Sequence, residues 1–201
     1  MGKAMRRTER GFDRLVNFSD AVVAIAITLL VLPLTEIAGE VGKTPANELI
    51  SENSNSIFAF MLSFVLVANY WLLHHRMFEY IGDYDNALAW LDIGWLFFIV
   101  TLPFSTELIS EGFQDGAGLV YTFNLAAVSL FACFIAWRVQ RVPDLQAQDY
   151  DLKAMRVRKS LIYGIFFVLV GLFSLVAPNQ ASMSLLLLIP IGFVLGRKDW
   201  E

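Results

Sequence analysis

Two aspartates, two histidines and a serine stand where the chain is otherwise apolar. Ser19 and Asp20 precede the uncharged run 21–35, Asp92 precedes 93–106, and His74-His75-Arg76 closes 53–75. Ionisable groups are costly in apolar surroundings and pair with one another there. These residue types therefore point to an inter-helix polar network, with Arg14 at the same end and Asn69, Tyr70 and Trp71 able to extend it. A nucleophile, base and orienter set is not visible, so no catalytic residue is assigned. His75 and Glu79 have the i, i+4 spacing of metal ligands, but two histidines make a thin ligand set, and no metal or other cofactor is expected. The lone Cys133 forms no disulfide within the chain and no CxxC pair.

A second pattern lies on the segment that follows Asp20. Phe18, Val22, Ile25, Leu29 and Leu32 recur at spacings of four and three, which sets them on one helical face suited to close packing. Ala21, Ala24 and Ala26 allow close approach of neighbouring helices. Thr28 lies one turn beyond Ile25 on nearly the same side, where its hydroxyl can meet a dehydrating cation. The pattern alone fits a packed helix as well as a pore-lining one, and Thr28 can simply bond its own helix backbone.

The elements that carry these residues follow from where charge is absent. The 201 residues are 57% hydrophobic and 17% charged, against roughly 25% charged in soluble domains, and the mean hydropathy is +0.58. Lipid can solvate that much apolar surface where a soluble fold of this size could not. Uncharged runs at 21–35, 53–75, 93–106, 116–137 and 160–196, the last broken at Pro178-Asn179-Gln180, predict an all-α membrane domain. Its six transmembrane helices fall at about 14–34, 55–77, 86–107, 117–138, 160–177 and 183–196. A span needs about 20 residues, so the first and third reach full length only by drawing Asp20 and Asp92 into their helices. The sixth is short and contains Pro190; a re-entrant hairpin is its alternative. The polar Phe18-Ser19-Asp20 start argues against a cleaved signal peptide.

Lysine and arginine set the orientation. With six spans and the N-terminus inside, every basic residue except Lys43 falls on the inner side, which predicts both termini in the cytoplasm. Glu36, Glu40, Glu48, Glu52, Glu107, Glu111 and Asp115 then face outward, and an acidic mouth concentrates cations.

Arg14-x-x-x-Phe18-Ser19-Asp20 with the Ala-Ile-Ala-Ile-Thr-Leu-Leu-Val-Leu run after it, and Asn69-Tyr70-Trp71-Leu-Leu-His74-His75-Arg76-Met-Phe78 on the second helix, resemble the transmembrane protein 175 family of potassium channels. The resemblance implies a prokaryotic, single-unit member in the cell membrane, four copies of which surround a central pore lined by the first helices. It implies that Ile25 forms the narrowest ring, that Leu29 and Leu32 form further apolar rings, and that Thr28 favours potassium as the permeant ion. It implies that the Arg14/Phe18/Ser19/Asp20 motif holds the first helix through His74 or His75 and Trp71. The chain has no Thr-Val-Gly-Tyr-Gly, so a carbonyl filter of the usual potassium-channel kind is absent, and apolar rings can gate by dewetting. The competing expectation is a proton-coupled secondary transporter that uses Asp20, Asp92 and the histidines as a relay. Such transporters show repeats or broken helices at mid-membrane, and these acids lie towards one face. Beyond lipid and further copies of the same chain, no partner is expected, nucleic acid included.

Overall fold

A computed structural model describes residues 9–39, 41, 44–149 and 157–185, and these are helical almost throughout. The elements are α1 (Glu9–Leu29), α2 (Leu32–Ala38), α3 (Ala46–Glu52), α4 (Ser54–Phe78), α5 (Asn86–Leu108), α6 (Ala117–Arg141), α7 (Val157–Ser174) and α8 (Pro178–Ser184). A 3-10 turn, Pro143–Leu145, follows α6.

Four stretches are long and apolar enough to cross a membrane: Arg10–Ala38, which joins α1 to α2, and then α4, α5 and α6. The 25 residues of α4 rise roughly 37 Å at about 1.5 Å each, more than the ~30 Å hydrocarbon core. The apolar part of α7, Ser160–Ser174, is shorter. The segment expected at 183–196 lies outside the described residues beyond Leu185.

Between α1 and α2 the helix loosens at Leu30–Val31. Pro33 supplies no N–H and its ring crowds the carbonyl four residues back, so the backbone turns there. Val31 N–H falls back on the Thr28 carbonyl at 3.3 Å.

The core sits on α5 and α6. α1 and α4 pack on α5, and α7 packs on α6 with α8 beside it. Leu88, Asp92, Trp95, Ile99 and Leu102 recur at four and three along α5, and every one is fully buried. On the other side of the same helix Trp90, Phe97 and Phe104 stand exposed at spacings of seven. That division is what a helix with one lipid-facing and one protein-facing side requires. Gly94 admits the Phe131 ring of α6, which any added Cβ would strike.

Polar side chains inside the bundle pair across helices. Thr106 Oγ1 donates to Ser63 Oγ at 2.8 Å, and Ser63 Oγ is 3.0 Å from Tyr121 Oη. Tyr70 Oη lies 3.0 Å from both the Leu125 carbonyl and Ser129 Oγ. Asn124 Nδ2 reaches Thr101 and Ser105. Lipid offers these groups no substitute partner, so they bind the helices together.

At the arginine-bearing end two connections are stapled. Gly82 N–H donates to the Leu145 carbonyl at 2.9 Å, and Ala147 N–H to that of Tyr80 at 3.1 Å. Asp85 caps α5 by accepting from Leu88 N–H at 2.8 Å. The same carboxylate pairs with Arg138 in the last turn of α6.

Candidate functional site

The helix that carries Ser19 also carries the apolar stripe, so its two faces have different tasks. Ser19, Val23, Ala26 and Leu30, spaced by four and three, are buried at 3% exposure or less. On the opposite side Phe18 is 56%, Ile25 61%, Leu29 38% and Leu32 52% exposed, with Val22 half-buried. Among the described residues of one chain nothing covers that side. Thr28 is also exposed, and its Oγ1 donates to the Ile25 carbonyl at 2.8 Å. Its proton is thereby used on the backbone, and the lone pairs of the hydroxyl oxygen remain free to accept.

The buried side is held at one end by charge. Asp92 of α5 is fully buried, and both carboxylate oxygens are engaged. Oδ2 accepts from Ser19 Oγ at 2.6 Å, and Oδ1 lies 2.7 Å from His74 Nε2. Ser19 Oγ is also 3.0 Å from the Leu15 carbonyl; its single proton goes to the carboxylate, the shorter and charge-assisted bond. His74 is sandwiched between Phe78 and Trp95, with ring centroids 4.2 and 4.1 Å away. Packing and hydrogen bonding thus fix the imidazole in one orientation. One residue on, Trp71 Nε1 donates to Asp20 Oδ1 at 2.9 Å. Three helices, α1, α4 and α5, meet in these contacts.

Of the two adjacent histidines, the structure puts only His74 in the network. His75 is turned about 100° away, as consecutive helix residues must be. It is 45% exposed, 3.6 Å from Glu79 on its own helix, and stacks on Trp71. The expectation that Arg14 joins the network also needs correcting, because Arg14 is exposed and forms none of these bonds. Tyr70 turns to α6 instead of extending the Asp92 cluster, and Asn69 is exposed. Among the described residues no group of three or more His, Cys, Asp or Glu is placed to hold a metal ion.

Two features escaped the sequence. The Ser63–Thr106–Tyr121 and Asn124 contacts could have been suspected from isolated polar residues in uncharged runs. The Asp85–Arg138 pair had a visible half-signal, an Asp immediately before an apolar helix.

The chain is similar to a set of known proteins. The family model described as "Endosomal/lysosomal potassium channel TMEM175" matches residues 14–103, from Arg14 on α1 into α5. A potassium channel of Streptomyces collinus is 28% identical over 188 residues, covering 90% of this chain and 91% of that one. The endosomal/lysosomal proton channel TMEM175 of Rattus norvegicus is 28% identical over 128 residues, 62% of this chain but only 26% of its own length. Among solved structures, a lysosomal potassium-selective channel TMEM175 homolog from Chamaesiphon minutus shares the fold. Its TM-score is 0.71 at 23% identity, over 92% of this chain and 97% of that one. That fold, the matched region carrying the α1 motif, and a bacterial relative aligned along nearly its whole length agree: the chain is similar to the TMEM175 channels from α1 into α5, and the relatives it matches are named as ion channels.

Proposed function

We propose that the protein is a potassium-permeable cation channel of the cell membrane, assembled from four copies with their α1 helices around a central pore and both termini in the cytoplasm. The observation that carries this reading is the division of α1. Its inner face is buried and tied down by Asp92, while Ile25, Leu29 and Leu32 are left bare on the other side. Repeated by rotational symmetry, one bare stripe becomes a set of apolar rings, and a narrow apolar ring expels water and blocks ions until it widens. In this reading Ile25 is the tightest ring and Leu29 and Leu32 are wider ones. The free lone pairs of the Thr28 oxygen replace part of the water shell of a potassium ion. The relatives named as potassium channels support the choice of ion.

Planar-bilayer recording in asymmetric potassium and sodium tests this. Ile25→Asn hydrates the ring and is expected to raise single-channel conductance. Thr28→Ala removes one oxygen contact per subunit; at roughly 1 kcal/mol in total it shifts the potassium-to-sodium permeability ratio about fivefold towards unity. Protein that passes no cation flux in liposomes under any gradient sinks the reading.

A second reading is proton passage, favoured by relatives named as proton channels and by the buried Asp92–His74 pair. A current whose reversal potential follows an imposed pH gradient and ignores potassium would replace the first reading. Uptake that saturates with a substrate and depends on that gradient would indicate a proton-coupled transporter.

A further inference from the structure

Behind the Asp92–His74 pair, at the arginine-bearing end of the bundle, lies a cavity of about 250 Å³ between α4, α6 and α7. Tyr70, His74, Trp95 and Ser129 line it, and Arg76 and Glu79, both exposed, stand at its rim. It has room for several waters, each of which takes about 30 Å³ in the liquid. His74 contributes its ring to this wall at the buried end, and the exposed Arg76 and Glu79 mark the end that opens outward.

We propose that this cavity is an aqueous inlet through which protons reach the buried Asp92–His74 pair from the arginine-bearing face. Each subunit would then hold a proton-binding site apart from the α1 stripe. Hydronium at the inner end of the water chain gives its proton to His74 and leaves as water. With Nε2 donating to Asp92, the receiving atom is Nδ1. The other titratable groups near the pair are Tyr70 and Arg76 on α4, Glu79 and Tyr80 just after it, Tyr163 on α7, and Asp20 on α1, which Trp71 holds. α6 contributes Ser129, Ala132 and Ala136 to the wall and no titratable group. The position of the pair gives the inlet a consequence, because Asp92 also grips Ser19 of α1. A change in the charge of the pair is felt at the helix that carries the bare stripe.

The test needs no current, so it stands or falls separately from the channel reading. The chain has two histidines, and His75→Gln leaves His74 as the sole imidazole for ¹⁵N NMR in lipid nanodiscs. On transfer to D₂O the His74 N–H signal is expected to vanish within minutes, while main-chain amides of the surrounding α6 turn persist. Ala136→Leu fills the cavity and should slow that exchange by about tenfold or more. Persistence of the His74 signal for hours without the Ala136→Leu change overturns the inlet. So does unchanged exchange in a folded Ala136→Leu protein. If that variant does not fold, the wild-type exchange decides alone.

Discussion

Asp92 has no solvent and two partners, and that makes it the most consequential single residue in the bundle. A buried carboxylate deprived of a partner keeps its desolvation penalty, so removing one partner costs more than the net value of the bond. Ser19→Ala and His74→Ala should each lower thermal stability in detergent, His74→Ala the more because it also empties the slot between Phe78 and Trp95. The double variant Ser19→Ala/Asp92→Asn should lose less than the two single losses added together, since both act on one bond; additivity within about 0.5 kcal/mol would show that the bond does not hold α1. His75→Gln serves as the control, with a change within about 0.5 kcal/mol, because that ring is exposed. Sequence could rank Asp92 as important, since a charge at the head of a short uncharged run has to enter the helix. It could not separate His74 from His75. Adjacent residues share a depth and differ only in direction, and direction is settled by where α5 lies.

Among the elements, α5 and α6 form the frame and α1 is the part mounted on it. The charge-free windows coincide with the four long apolar stretches, α1 with α2 and then α4, α5 and α6, because lipid excludes charge and helices satisfy their own backbone. They did not reveal which helices touch, since in lipid that depends on shape, small residues and hydrogen bonds more than on hydropathy. Gly94 against Phe131 is such a contact. The pair of Arg138 with the α5 cap at Asp85 is another. It lies at the end of both helices, and Arg138→Gln should release the start of α5 and the 142–149 connection together. Hydrogen–deuterium exchange should show faster exchange at Leu88 and Ala147 and no change near Ser63. Faster exchange at Leu88 alone would mean that the two connections are independent.

For the whole molecule, the described residues of one chain leave a long apolar side of α1 with no protein against it. On the proposed assembly, Ile25 of one subunit faces its symmetry mates across the pore. Ile25→Cys in a Cys133→Ala background, so that no other thiol is present, should oxidise to covalent dimers within the tetramer. Monomers alone after oxidation would place the stripe elsewhere. The number of copies was never readable from spacing, because a stripe records that something lies opposite and not how many.

The long separations in the anchoring network have a consequence for how the protein is made. Asp20 waits for Trp71, 51 residues later, and Ser19 waits for Asp92, 73 residues later. Synthesis runs from the N-terminus, so α1 leaves the ribosome well before either partner exists. Until α5 has emerged, its polar end has no protein ligand and is best served at the membrane surface, near water. The helix made first is therefore locked only after α4 and α5 have been made.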